Sequence, residues 1–308
     1  MSENYHIPVM LEKTVEYLNI KKDGVYCDFT LGGGGHFKKI AQNLGKNGIA
    51  VGIDRDLTAV KRAKEYDFEV DCKIIIEHCP FSRFADVLDK HKIEKTDGIL
   101  MDLGVSSHQF DVAERGFSYR SDAKLDMRMN RNDEKTAADI INFYDEDELT
   151  RILENFGEVR NPRRMAKKLV SARKTAKIET TVQLVDILNE EYGNLQNSVL
   201  SKVFQAFRIA VNSELDELKN ALQNSLKYLN TGGRIVIISY HSLEDGIAKN
   251  FLRDNAKNCI CPKVIPKCVC NHKADIKIIT KKPVTANINE INENRRARSA
   301  NLRCGERI

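Results

Sequence analysis

The feature that most constrains this chain is Tyr26-Cys27-Asp28-Phe29-Thr30-Leu31-Gly32-Gly33-Gly34-Gly35-His36, an apolar run that stops at four glycines and passes at once into a helical pattern. That is a strand, a tight turn and a helix. Only glycine lets a backbone turn so sharply and press against a ligand, so the block reads as a cradle at the carboxyl end of a first parallel strand. A dinucleotide fingerprint would place a third glycine where Phe37 stands, and no Lys or Arg in the turn could meet a pyrophosphate. About 20 residues on, Ile49-Ala50-Val51-Gly52-Ile53 ends in Asp54, where an acid that holds ribose hydroxyls belongs. A nucleoside without phosphates fits best, and S-adenosylmethionine is the commonest such ligand. The bland alternative for the glycines is a plain tight turn.

With 308 residues the chain can bury a large core and hold one or two domains. Lys and Arg exceed Asp and Glu by only 49 to 44, so net charge alone announces no nucleic-acid partner. Met1 to His6 lacks the basic and apolar regions of a leader, and no apolar run reaches membrane-spanning length. The expectation is a cytoplasmic protein, with no membrane partner and its 8 cysteines reduced. The sequence leaves open whether it is a monomer or a homodimer.

His6 to Met10 reads as an irregular arm, and Leu11, Val15 and Leu18 then space like one face of a helix. Strands follow at Ile74-Ile75-Ile76 and at Gly98-Ile99-Leu100-Met101, the latter ending in Asp102, with a helix from Ser82 to His91 between them. Asp28, Asp54 and Asp102 would then converge outside the carboxyl ends of a doubly wound, mostly parallel sheet. Phe81, just past the third strand, would either cover an adenine or sit in the core.

The next clear strand, Arg234 to Ser239, lies far beyond the reach of one crossover helix. The amphipathic run from Val199 to Leu222 supplies that helix and leaves residues 113–198 as an inserted, all-helical domain, with the sheet domain built from 1–112 and 199–308. Helix starts are marked by Thr136, by Asp145 with Glu148, by Asn161-Pro162 and by Thr180-Thr181. In the third of these helices Arg160, Arg163, Arg164, Lys167 and Lys168 share a face, and Arg173, Lys174 and Lys177 extend it without an acid in the stretch. A phosphate-binding surface is the reading preferred over a solvated face. The segment from Glu114 to Met129 has neither period; it is expected to be an ordered loop that sets Phe117 or Tyr119 against a base and Arg115 or Arg128 against phosphates, or else a hinge.

After strand five, Ser242 and Asp245 read as a capping pair, and His241 either touches substrate or caps the strand. Cys259, Cys261, Cys268 and Cys270 bring four thiols into one loop, with His272 beside them; they read as a structural zinc site or as free thiols. Ile276 to Thr280 and Ala300 to Cys304 look like two last strands.

The set Asp28 to His36, Ile53 to Asp56, Cys79 to Ser82, Met101 to Ser107, Glu114 to Ser118, Leu125 to Met129, Ile238 to Asp245 and Arg298 to Arg303 resembles the bacterial 16S rRNA (cytosine-N4) methyltransferases, the RsmH family, formerly MraW. The likeness spans essentially the whole chain. It implies a class I, Rossmann-like methyltransferase fold with a helical insert between strands four and five. It also implies methylation of a decoding-centre cytidine in 16S rRNA of the small ribosomal subunit. By position it carries S-adenosylmethionine contacts to Gly34, Gly35 and His36, to Asp54, to Phe81, and to Asp102 and Gln109. Tyr240 stands where a phenylalanine is usual, and the family's activity does not require the cysteine cluster.

The chemistry follows from what strand four offers. Methylating carbon 5 of a pyrimidine needs a cysteine nucleophile, and none lies near Asp102-Leu103-Gly104-Val105-Ser106. An exocyclic nitrogen needs acceptors for its N–H groups; Asp102, Ser106 or a loop carbonyl could serve, with Asp102 preferred. The Ser/Asp/Asn-Pro-Pro-aromatic motif often used by N4 enzymes is absent. Two rival readings are a small-molecule methyltransferase, which would want a closed lid, and a non-catalytic RNA-binding sensor, which would not want three converging carboxylates.

Overall fold

The structure is a computed structural model that describes residues 8–193, 195–262 and 267–308; His6 and Ile7 of the expected arm lie outside them. The chain runs through α1 (Leu11–Leu18), β1 (Val25–Asp28), α2 (Gly35–Gln42), β2 (Ile49–Asp54), α3 (Leu57–Glu65), β3 (Lys73–His78), α4 (Phe84–Lys90) and β4 (Thr96–Asp102). A helical stretch follows: α5 (Ser107–Asp111), α6 (Ala137–Phe143), α7 (Glu146–Asn155), α8 (Pro162–Ala172), α9 (Thr181–Tyr192) and α10 (Asn197–Asn212). It ends with α11 (Glu214–Tyr228), β5 (Leu229–Ser239), α12 (Ser242–Asn255), β6 (Ile276–Ile278), α13 (Ile288–Glu293) and β7 (Asn301–Arg307). No described helix is long and apolar enough to cross a membrane.

The strands form one sheet in the order β3-β2-β1-β4-β5-β7-β6, parallel except for β7, which runs against β5 and β6. Its strands are apolar on both faces because helices cover both. Tyr26, Leu100, Val236 and Ile238 join the core on one side, and Cys27, Ile99, Met101, Ile235 and Ile237 join the core on the other. Each fully buried side chain of that size contributes about 1.5–3 kcal/mol, so the alternation holds every strand in one register.

The chain divides into two compact units, Met1–Gly104 with Leu215–Ile308, and Val105–Glu214. The helical unit is thus wider at both ends than 113–198. The reason lies in the run from Val199 to Leu222, which is two helices and not one. Ser213 takes a left-handed φ of 51° and ends α10. Leu200, Val203, Phe204 and Phe207 of α10 belong to the helical core, whereas Leu218 and Leu222 of α11 belong to the sheet core. The apolar period runs unbroken across the junction, so periodicity could not reveal it.

Helix starts follow their expected caps where a side chain can reach back. Thr136, Asp145 and Thr180 each accept from the third residue of α6, α7 and α9 in reciprocal capping boxes. Asn161 precedes Pro162 but makes no side-chain cap. Ser242 and Asp245 are not a capping pair: α12 starts after His241, and Asp245 instead receives both Nε and Nη2 of Arg303, at 2.7 and 2.8 Å.

Candidate active site

Three carboxylates close three neighbouring strands of the sheet unit: Asp28 ends β1, Asp54 ends β2 and Asp102 ends β4. Strand order reverses between β1 and β4, the switch point at which helices diverge and leave a crevice. Thr30 ties the two ends together. Its hydroxyl accepts the Asp102 N–H at 2.7 Å and donates to Asp28 Oδ1 at 3.2 Å, while its own N–H donates to the same oxygen at 3.0 Å.

Asp28 is 1% exposed, and its Oδ2 has no hydrogen-bond partner among the described residues. Burial pushes its pKa up to about 6, against the opposing pull of His36. Asp54 is clamped to the glycine turn, accepting from Gly32 N–H on Oδ2 and from Asp56 N–H on Oδ1, both at 2.7 Å. Burial outweighs those bonds and pushes this carboxyl up to about 6 as well. Each Asp54 oxygen keeps a lone pair for a further donor.

His36, in the first turn of α2, is buried with Nε2 3.5 Å from Asp102 Oδ2 and no ring nitrogen hydrogen-bonded among the described residues. Burial opposes its charge, but Asp102 and then Asp28 outweigh that, and its pKa is raised. The other Asp102 oxygen is taken: Tyr240 OH donates to Oδ1 at 2.7 Å. Burial first and Asp102 second push that phenol well above its ordinary range, so it stays a donor. Behind it, buried Glu244 accepts Tyr240 N–H at 2.9 Å and lies 3.1 Å from His241 Nε2, which gives His241 a structural partner. Nothing in the sequence around Tyr240 announces its bond to a residue 138 positions away.

The turn is shaped for a close approach. Gly34 has φ +79°, which costs a side-chain-bearing residue strain. A Cβ on Gly35 would lie 2.2 Å from Pro8 Cγ, whereas one on Gly33 would meet nothing within 4 Å. The cradle is closed by Pro8 and open at Gly33. Phe81 opens a 3₁₀ turn at Phe81–Arg83, half-buried against the core cluster of Phe29 and Phe84.

Half-buried acids at a switch point and an open backbone cradle are what a nucleoside ligand with hydroxyls to donate would need. Residues 3–308 match the family model of the MraW methylases. The chain belongs to the MraW methylase family. It is a methyltransferase, and its sheet is the class I, Rossmann-like fold expected for one. Among its relatives, a protein of Caldicellulosiruptor saccharolyticus called ribosomal RNA small subunit methyltransferase H is 48% identical over 98% of this chain and 99% of its own. Proteins of the same designation in Clostridioides difficile and Clostridium botulinum (strain Kyoto) are 44% and 46% identical, over 99% and 98% of this chain and 100% and 99% of theirs.

In the helical unit of this MraW methylase, several expected site residues have structural work. Ser106 and Gln109 form a capping box for α5: Ser106 Oγ accepts Gln109 N–H at 3.2 Å, and Gln109 Oε1 accepts Ser106 N–H at 3.0 Å. The Ser-x-x-Gln spacing carried that signal. Arg115 is corrected from a phosphate contact to a core residue: it is 3% exposed, and Nη2 donates to the carbonyls of Arg128 and Met129 at 2.9 and 2.8 Å. Arg128 is likewise engaged, gripping both oxygens of Asp126 at 2.8 Å and the Asp133 carbonyl at 2.7 Å. Phe117 is buried in the helical core, so it cannot meet a base there, and Tyr119 packs edge-on against Phe204 at 5.5 Å.

The basic face of α8 also differs from its linear reading. Acids reach it from α7 and α9: Asp147 lies 3.0 Å from Arg163, Glu191 2.8 Å from Arg164 and Glu190 3.2 Å from Lys168. Arg164 also stacks over Tyr192, and Arg173 donates to the Ile141 carbonyl at 2.6 Å. Arg160 and Lys167 are exposed and have no ion pair among the described residues. The four cysteines expected in one loop do come together, with sulfurs all within 4.8 Å.

Proposed function

We propose that this methyltransferase transfers the methyl group of S-adenosylmethionine to the exocyclic N4 of a decoding-centre cytidine in 16S rRNA of the small ribosomal subunit, in the cytoplasm. The observation that carries the reading is the trio Asp28, Asp54 and Asp102 around an open glycine cradle in a chain of this family. The small-subunit rRNA substrate follows the designations of the full-length relatives.

In this reading Asp54 accepts the ribose hydroxyls on the lone pairs its backbone donors leave free. Gly34, Gly35 and His36 line the cradle, and Phe81 flanks the adenine. S-adenosylmethionine supplies an electrophilic methyl on a sulfonium. The N4 lone pair of cytosine is delocalised into the ring, so the N–H groups must be held and the lone pair aimed. Asp102 does this through Oδ2 and takes the proton that N4 loses. Tyr240 holds Oδ1 and so decides which oxygen faces the substrate. Attack at carbon 5 lacks a nucleophile: Cys27, Cys72, Cys79 and Cys304 are buried, and the remaining thiols cluster between α12 and β6.

Arg160 and Lys167, with Arg163, Arg164 and Lys168 released from their exposed ion pairs, meet RNA phosphates, which position the strand without reading it. Labelled methyl transfer to naked 16S rRNA and to small subunits lacking the modification, followed by nucleoside mass spectrometry, tests the proposal. N4-methylcytidine is the expected product; 5-methylcytidine, a 2′-O-methylated nucleotide or no transfer to either substrate overturns it.

A further inference from the structure

The connector between α12 and β6 shows no core of its own among its described residues. Among its described residues from 256 to 275 none is buried, and its large apolar side chains Ile260 and Val269 are 61% and 69% exposed. Ordering such a segment costs about 1–2 kcal/mol per residue with no apolar burial to offset it. Yet Cys259, Cys261, Cys268 and Cys270 bring their sulfurs within 4.8 Å of one another, from two Cys-x-Cys units six residues apart.

The spacing of those sulfurs is informative. Cys268 and Cys270 are 3.6 Å apart, and Cys270 and Cys259 are 3.8 Å apart. Four thiolates about 2.3 Å from a central Zn²⁺ stand on a tetrahedron whose edges are about 3.8 Å. The backbone supports the same arrangement reciprocally: Ile260 N–H points at Cys270 Sγ and Val269 N–H at Cys261 Sγ, each at 3.4 Å. The residue between the thiols of each unit therefore donates to a sulfur of the other, which makes the four sulfurs one set, and all four cysteines are free. Neutral thiols are weak donors that gain little from such crowding, and thiolates without a cation would repel one another.

We propose that Cys259, Cys261, Cys268 and Cys270 bind one Zn²⁺ in a closed four-thiolate site that holds the α12–β6 connector in its shape. A dication removes the repulsion and supplies the ordering free energy the connector lacks. With all four positions filled by protein the site is structural, with no place for substrate. Tetrahedral sulfur suits zinc or iron, and the affinity order of divalent ions puts zinc above ferrous iron. The site stands independently of the methyl-transfer reading.

The test is metal analysis of the full chain, purified without chelators and without a nickel column. About one zinc per chain is expected, with Co²⁺ exchange giving the intense visible bands of a tetrahedral thiolate site. Cys268→Ser should lose the zinc and open the connector to limited proteolysis. Should that variant fail to fold, the wild-type measurement still decides. Metal-free protein with four titratable thiols, stoichiometric iron, or a mass lowered by two disulfides would each overturn the assignment.

Discussion

Two charged regions of this chain are built on opposite principles. At the carboxyl edge of the sheet, Asp28 is enclosed and Asp54 half-buried, with no Lys or Arg salt bridge among the described residues, and burial pushes both carboxyls up to about 6. On α8 the charges lie outside, and neighbouring helices answer them with Asp147, Glu190 and Glu191. Enclosed charge without a counter-ion is costly to keep and points to a ligand that completes it. Exposed charge with a partner costs little and contributes little, so it can exchange that partner for a phosphate.

The largest expected effect separates buried from exposed cations inside the helical unit. Arg115→Ala strips one buried and one half-buried carbonyl of their donor and should lower unfolding free energy by about 3 kcal/mol, read from urea melts. If stability is unchanged and only RNA binding falls, Arg115 belongs with the exposed cations after all.

Next comes the chemistry. Asp102→Asn keeps size and removes charge, and should lower turnover about 100-fold while cofactor affinity changes far less. Turnover near wild type would remove Asp102 from the acceptor role. Tyr240→Phe leaves Asp102 charged but frees Oδ1, so its loss should be the smaller of the two.

Asp54→Ala should weaken S-adenosylmethionine by about 2–3 kcal/mol in calorimetric titration without unfolding the protein. The raised carboxyls add a pH test whose sign is fixed. A folded pKa above the unfolded one gives stability that is present below about pH 4 and lost as pH rises through about 6. In the ligand-free protein these two groups should therefore contribute less to stability at pH 7 than at pH 4. Cofactor affinity should move the other way and rise from about pH 5 to about pH 7, because only the ionised Asp54 carboxylate accepts its hydroxyls fully. A flat affinity profile would mean that carboxylate is not what the ligand meets.

The smallest effects belong to α8. Arg163→Ala and Arg164→Ala should leave the melting midpoint where it is. Arg160→Ala with Lys167→Ala should reduce the salt dependence of RNA binding by about two units of slope. A slope unchanged by that pair, but lowered by losing Arg163 and Arg164, would place the phosphate contact on the paired cations instead.

Much of the fold was legible in the linear order of residues. Glycines 32–35, the acids ending three apolar runs and the caps at Thr136, Asp145 and Thr180 all act within a few residues, so their spacing is their structure. Local pattern equally misled where a local signal continued past a tertiary boundary. The apolar period through Ser213 hid the break between α10 and α11, and the Ser242-Asp245 spacing suggested a cap where Arg303 holds the acid. The α8 cations read as free because the acids that meet them are supplied from 16 to 27 residues away. Only the folded chain chose the Tyr240 bond to Asp102 and the burial of Arg115. The physical reason is the same in each case: a backbone turn is set by its own residues, whereas a side chain's partner is set by whatever packing brings within about 3 Å.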